Sequence, residues 1–189
     1  MSTRSVPTTV TITREQIESG IDDFTTREQA VAFVRRAGLP IPTAPPEMNY
    51  IQDEWDAMVR RAGGICNVPF PLLGDYLDKW TGVVSFARWK EAEVDIEATL
   101  ALEIRDHIKK QLYLVQTGTN REMRDAAVYA EPLYIQWNLL YTKAFIEYKA
   151  VRQLREGYEM RVNAISREIT RRNSDQFDTR RTINRGNQA

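Results

Sequence analysis

The chain has 189 residues, 42% of them apolar and four of them tryptophan, which is enough for a core and incompatible with global disorder. Lys plus Arg and Asp plus Glu number 26 each, so no overall charge draws the protein to a polyanion, and any nucleic-acid contact must come from a local patch. A single cysteine, Cys66, and a single histidine, His107, exclude an internal disulfide and a zinc cluster of Cys and His, and no run of about eighteen apolar residues offers a membrane span.

The first ten residues are polar and unpatterned and lack the apolar stretch of a secretory leader, so the expected location is cytoplasmic. TTREQAVAFVRRAGLP then punctuates a helix: Thr25 with Glu28 as a capping box, Arg35 and Arg36 in the last turn, Gly38 and Pro40 as the stop. Residues 38–46, GLPIPTAPP, hold four prolines and read as a stiff extended linker. Another short helix, MNYIQDEWDAMVRRAGG, carries Ile51, Trp55, Met58, Val59 and Ala62 at helical spacing and ends at Gly63-Gly64. The loop ICNVPFP follows, where Cys66 is expected to pack beside Val68 and Phe70 rather than react.

From Pro71 onward, alternate steps of four and three give Leu73, Leu77, Trp80, Val84, Ala87, Glu91, Val94, Ala98, Ala101, Arg105, Ile108, Leu112 and Val115. All but Glu91 and Arg105 are apolar, the signature of a heptad seam. QTGTNRE interrupts it, with Thr119 and Glu122 as a second capping box, and a short helix reaches Pro132, a kink or a fresh first turn. The same steps then give Trp137, Tyr141, Ala144, Tyr148, Val151, Arg155, Tyr158, Val162, Ile165 and Ile169, with Arg155 the one polar exception. Two long helices joined by a short break predict an antiparallel hairpin, each arm about 60 Å long at 1.5 Å per residue.

The predicted fold is therefore all-α: a long coiled-coil-like two-helix hairpin with two or three short N-terminal helices. The expected divisions are 1–46 (short helices and proline-rich linker), 47–71 (short helix and loop), 72–173 (hairpin) and 174–189 (a polar basic tail, disordered). Apolar residues lie off the seam as well: Phe86, Trp89, Ile96 and Leu100 on the first arm, Leu133, Leu140, Ile146 and Leu154 on the second. A hairpin buries one stripe per helix, so this surplus points to the N-terminal helices or another subunit, and a homo-oligomer is expected. The seam and oligomer residues are expected to include Trp80, Trp89, Trp137, Tyr141, Tyr148, Val151, Tyr158 and Ile165.

Chemistry is scarce. Glu91, Glu93, Asp95 and Glu97 alternate along a helix, which scatters them around it, and read as a solvated face rather than a metal site. A di-iron bundle needs two Glu-x-x-His motifs, and His107 is alone and expected at the surface. No Gly-rich phosphate loop follows Gly63-Gly64. No enzyme, cofactor or metal is expected.

Basic residues are more informative. A fold at the interruption would gather Lys109, Lys110, Arg121 and Arg124 at the hairpin tip, diluted by Asp106, Glu122 and Asp125. The last 26 residues, 164–189, hold six arginines (Arg167, Arg171, Arg172, Arg180, Arg181 and Arg185) against Glu168, Asp175 and Asp178. Such pairs suit phosphate contacts from an arm, or else complement the helix dipole at its C-terminus. With only Phe177 available for stacking there, binding would be backbone-directed and salt-sensitive.

Arg124-Asp125-Ala126, Glu131-Pro132 and Ser166-Arg167-Glu168-Ile169-Thr170-Arg171 resemble a layout in small helical proteins of tailed bacteriophages, over roughly residues 72–173. These in turn are similar to the UvsY-like recombination mediators. The resemblance implies a homo-oligomer that binds single-stranded DNA, with Lys109 and Lys110 in its basic cluster, and that helps load a recombinase. The competing expectation is a virion assembly or structural part (scaffold, neck or tail) that contacts other virion proteins, and a host-directed inhibitor is a third class.

Overall fold

The computed structural model describes residues 14–21, 26–45, 48–116 and 120–186, and all regular structure among them is helical. The order is α1 (Arg14–Ser19), α2 (Arg27–Arg36), α3 (Met48–Ala62), a 3-10 turn (Ile65–Asn67), α4 (Phe70–Val115), α5 (Arg121–Ala130) and α6 (Pro132–Gly186). The all-α class expected from the periodicity holds. No helix among the described residues is long and apolar enough to cross a membrane.

Local chemistry sets the helix ends. The capping box of α2 lies one residue beyond the expected pair: Gln29 N donates to Thr26 Oγ1 at 3.3 Å, and Thr26 N donates to Gln29 Oε1 at 3.0 Å. Both Thr-x-x-Glu and Thr-x-x-Gln satisfy the pattern, and sequence spacing does not choose between them; Thr25 lies outside the described residues. Helix α3 closes on a Schellman motif, with Gly63 N bonded to Arg60 O and Gly64 N to Val59 O, and Gly63 takes the left-handed φ of 72° that this ending needs. Asn120 rather than Thr119 caps α5, accepting from Met123 N at 2.8 Å; Thr119 is again outside the described residues. Pro132 starts a fresh helix: Glu131 is extended, as a residue before proline prefers, and the ring supplies the first turn of α6.

Helix α6 does not stop at 173. Thr170 and Ser174 hydroxyls bond back to the carbonyls of Ser166 and Thr170, Arg171 reaches Asp175, and no glycine or proline intervenes before Gly186. The backbone of 174–186, expected to be a disordered tail, is therefore helical.

The chain forms two compact units, Met1–Leu39 with Glu93–Tyr148 and Pro40–Ala92 with Lys149–Ala189, and α4 and α6 supply a segment to each. In the unit containing α3, the core gathers Ile51, Trp55, Val68, Leu73, Trp80, Val83 and Ile165, flanked by Tyr158 and Val162. The Trp80 and Tyr158 rings pack at a tilt with centroids 5.6 Å apart, Arg88 meets Glu159, and Glu91 meets Arg155, so α4 and α6 run antiparallel there. In the unit containing α1, Ile17, Ile104, Ile108, Leu112, Val128, Leu133 and Tyr134 form a second core. There Arg105 covers Tyr141 and Gln116 bonds Glu131, again in antiparallel order.

Burial follows the α4 seam in part, with Tyr76, Val83, Glu93 and Ile104 buried off it, and follows the α6 seam less closely, with Leu133, Tyr134 and Glu168 buried off it. Leu73, Trp80, Val84, Ala87, Ala98, Ala101, Ile108 and Leu112 of α4 are buried. On α6, Ile165 and Ala144 are buried, and Trp137, Tyr141, Tyr148, Val151 and Tyr158 are half-buried, as is Trp89 on α4. The polar exceptions meet partners: Glu91 pairs with Arg155, and the Arg105 guanidinium lies 4.5 Å from the Tyr141 ring centroid. A half-buried ion pair tolerates a register slip poorly, because either partner alone would be left desolvated.

The acidic series is not a solvated face. Besides the Glu91 pair, Arg27 of α2 reaches Glu93 at 3.5 Å and Glu97 at 3.3 Å, and Glu93 is buried; only Asp95 is exposed. Helix α2 buries no residue of its own, and this fork ties it to α4. Burial of Glu93 follows from a cation sixty-six positions earlier, which no local pattern announces.

Candidate nucleic-acid interface

Arginine and lysine on α4 and α5 converge on one open groove of about 950 Å³. Arg105, Lys109 and Tyr113 recur at steps of four on α4, and Arg121, Asp125 and Tyr129 do so on α5, so each trio lines one helix face. Lys110, Asp106 and the 69% exposed Leu114 complete the lining. The wall thus holds four cations against two carboxylates, a net positive concavity in a chain of zero net charge.

Each cation is held differently. The Lys109 ammonium donates to Tyr129 Oη at 2.7 Å and sits 4.7 Å from that ring's centroid. The hydrogen bond to Tyr129 raises the Lys109 pKa above the ordinary lysine value, with the charge of Asp125 adding to it, so the side chain stays cationic at neutral pH. Arg105 grips Asp106 through Nε at 3.0 Å and Nη2 at 2.7 Å. Arg121 is largely exposed, with Asp125 a looser 3.7 Å away. Lys110 is exposed. Arg124, predicted to join the cluster, instead lays its guanidinium 5.1 Å from the Tyr113 centroid, and its buried Nε has no hydrogen-bond partner among the described residues.

Three of the four basic residues predicted for the tip therefore line one groove, and the fourth packs behind it. Sequence reading missed Arg105, taken as a seam position, together with Tyr113 and Tyr129. The four-residue steps were the available signal. One face of each tyrosine ring already carries a cation, and the cations of the wall are the groups that offer phosphate contact.

The arginines of α6 are arranged otherwise. Arg172 donates to Glu168 at 2.6 Å and to the carbonyls of Val68 at 2.8 Å, Cys66 at 2.8 Å and Ile65 at 3.3 Å. It ties down the loop after α3 and is not presented to a ligand. Arg171 bonds Glu168 twice and Asp175 once, while Arg167 is exposed. These contacts, Arg171 first and Arg172 second, draw the buried Glu168 carboxyl down to about 2. Because α6 continues to Gly186, none of the three lies at a helix C-terminus, and the dipole reading fails for them. Arg180, Arg181 and Arg185 lie on helical backbone, with side chains outside the described residues.

Two lesser expectations also change. Cys66 is exposed and Val68 fills the core position beside it, because the 3-10 turn directs the thiol outward. His107 is half-buried rather than at the surface. Among the described residues no group of three or more His, Cys, Asp or Glu could hold a metal ion.

No family model, curated protein or solved structure matches the chain. The functional reading therefore rests on this groove and its charges.

Proposed function

We propose that the protein is a non-enzymatic recombination mediator of phage type, similar to the UvsY-like proteins. In this reading it oligomerises in the host cytoplasm, binds the backbone of single-stranded DNA and helps load a recombinase. The observation that carries it is the convergence of Arg105, Lys109, Lys110 and Arg121 on one groove. Such a wall favours phosphates without reading bases. The antiparallel order of α4 and α6 within each unit supports the further reading that the two helices form one long hairpin with α5 in its turn. Fluorescence anisotropy of a labelled single-stranded oligodeoxynucleotide across a salt series tests the DNA reading. Binding that weakens steeply with salt supports it, and no binding at low salt removes it.

A second reading, a virion assembly or structural protein, is favoured by apolar side chains exposed on α6: Leu139, Ile146, Leu154 and Met160, each more than half exposed. Either reading expects these side chains to meet another chain. Sedimentation should therefore show a species heavier than the 21.9 kDa monomer. A strict monomer at high concentration, together with DNA binding, would remove the oligomer from the account. Capture of a virion protein with no DNA binding would favour assembly.

A further inference from the structure

We infer that Asp106 and Asp125 set the affinity of the groove, by holding Arg105 and Arg121 in ion pairs with which an incoming phosphate must compete. This rests on the reading of the groove as a phosphate-binding surface. Side chains one residue apart on a helix normally diverge, so the double contact of Arg105 with its neighbour Asp106 requires the guanidinium to fold back along α4. Arg105 cannot swing away, because it is only 20% exposed and is packed over Tyr141. Its Nε and Nη2, two donors that would otherwise be open to a phosphate, both go to a single oxygen, Oδ1, of the Asp106 carboxylate. Arg121 differs: it is 85% exposed and 3.7 Å from Asp125, so its pair is loose and easily displaced. The Lys109 ammonium has a neutral hydroxyl as its hydrogen-bond partner, with the Tyr129 ring beneath it, and Lys110 is exposed. Two of the four cations are thus tempered, one firmly and one weakly.

The order of effects follows. Asp106→Asn keeps the side-chain shape and removes the competing charge, and it should tighten binding of a labelled single-stranded oligodeoxynucleotide by roughly fivefold at low salt. Asp125→Asn should tighten it by about twofold, because its pair is looser and more exposed. Freeing Arg105 adds a phosphate contact, so the dependence of log affinity on log salt should steepen by about 0.7 for Asp106→Asn. A purely structural role for Asp106 would leave that slope unchanged. Asp106→Glu retains the charge and should bind like the wild type, and circular dichroism of each full-length variant checks its helicity.

Wild-type affinity and slope in Asp106→Asn, alongside weakened binding in Lys109→Ala, would overturn the inference and leave the groove reading standing. Binding that neither substitution alters, or no binding by any variant, would overturn both.

Discussion

The groove on α4 and α5 and the arginine pair on α6 look alike in sequence and differ in what their charges already touch. Both place basic residues close together with carboxylates among them. At Arg171 and Arg172 every guanidinium has partners within the chain, and Arg172 binds three carbonyls of the loop it restrains. In the groove Arg105 is paired with Asp106, but the Lys109 ammonium hydrogen-bonds a neutral hydroxyl, Lys110 is exposed, and Arg121 has a distant partner. Density of positive charge is thus a poor guide to a binding surface. What distinguishes one is the shortage of internal acceptors. A cation that satisfies the fold's own carbonyls contributes to stability, whereas one left to solvent and a hydroxyl can exchange those contacts for phosphate at small cost.

The sharpest way to break this contrast is to remove Arg172. Arg172→Ala deletes charge-assisted bonds to three carbonyls and leaves Glu168 with one partner. It should destabilise the protein by about 2–3 kcal/mol in denaturant titration, while leaving oligonucleotide affinity within twofold. Equal stability would show that the loop does not depend on this clamp.

A smaller loss is expected where the seam itself is polar. Arg155→Ala strands Glu91 and leaves Glu159 to Arg88 alone, both carboxylates half-buried, and should cost about 1–2 kcal/mol, discounted from a fully buried pair because water still reaches them. Arg155→Met, which refills the stripe but restores no pair, should recover part of the loss if packing matters there.

Acid sharpens the same comparison. The folded carboxyl of Glu168 lies near 2, below its ordinary 4.5, so its contribution is complete above about pH 4.5 and disappears as pH falls towards 2. Melting followed from pH 6 to pH 2 should therefore fall less for Glu168→Gln than for the wild type; parallel curves would count against the clamp. The mildest effect expected is at the α2 cap, where Thr26→Ala should cost about 1 kcal/mol, read as earlier hydrogen exchange in α2.

Much of the fold was legible because long helices repeat. The α4 seam marked eight of that helix's buried positions and the α6 seam two, Ala144 and Ile165, while Gly63-Gly64 and Pro132 marked helix boundaries. What stayed hidden depends on partners far away in the chain. Glu93 looked solvated because Arg27 is in another helix, and Arg172 looked available because its acceptors are backbone carbonyls, which carry no side-chain signature. Two overlapping capping patterns at Thr25 and Thr26 were equivalent on spacing, and the chain uses the second. The groove was half legible: Lys109, Lys110 and Arg121 were foreseen from the turn between α4 and α5, but Arg105 was counted as a seam position.

The most direct measurement sets the two arginine and lysine clusters against each other. Affinity for a labelled single-stranded oligodeoxynucleotide is measured across salt for the wild type, for Lys109→Ala with Lys110→Ala, and for Arg167→Ala with Arg171→Ala. The account predicts that the groove variant loses about tenfold or more in affinity and flattens the salt slope by about 1.4, while the α6 variant stays near the wild type. Loss confined to the α6 variant would contradict it and move the interface to the other arginines.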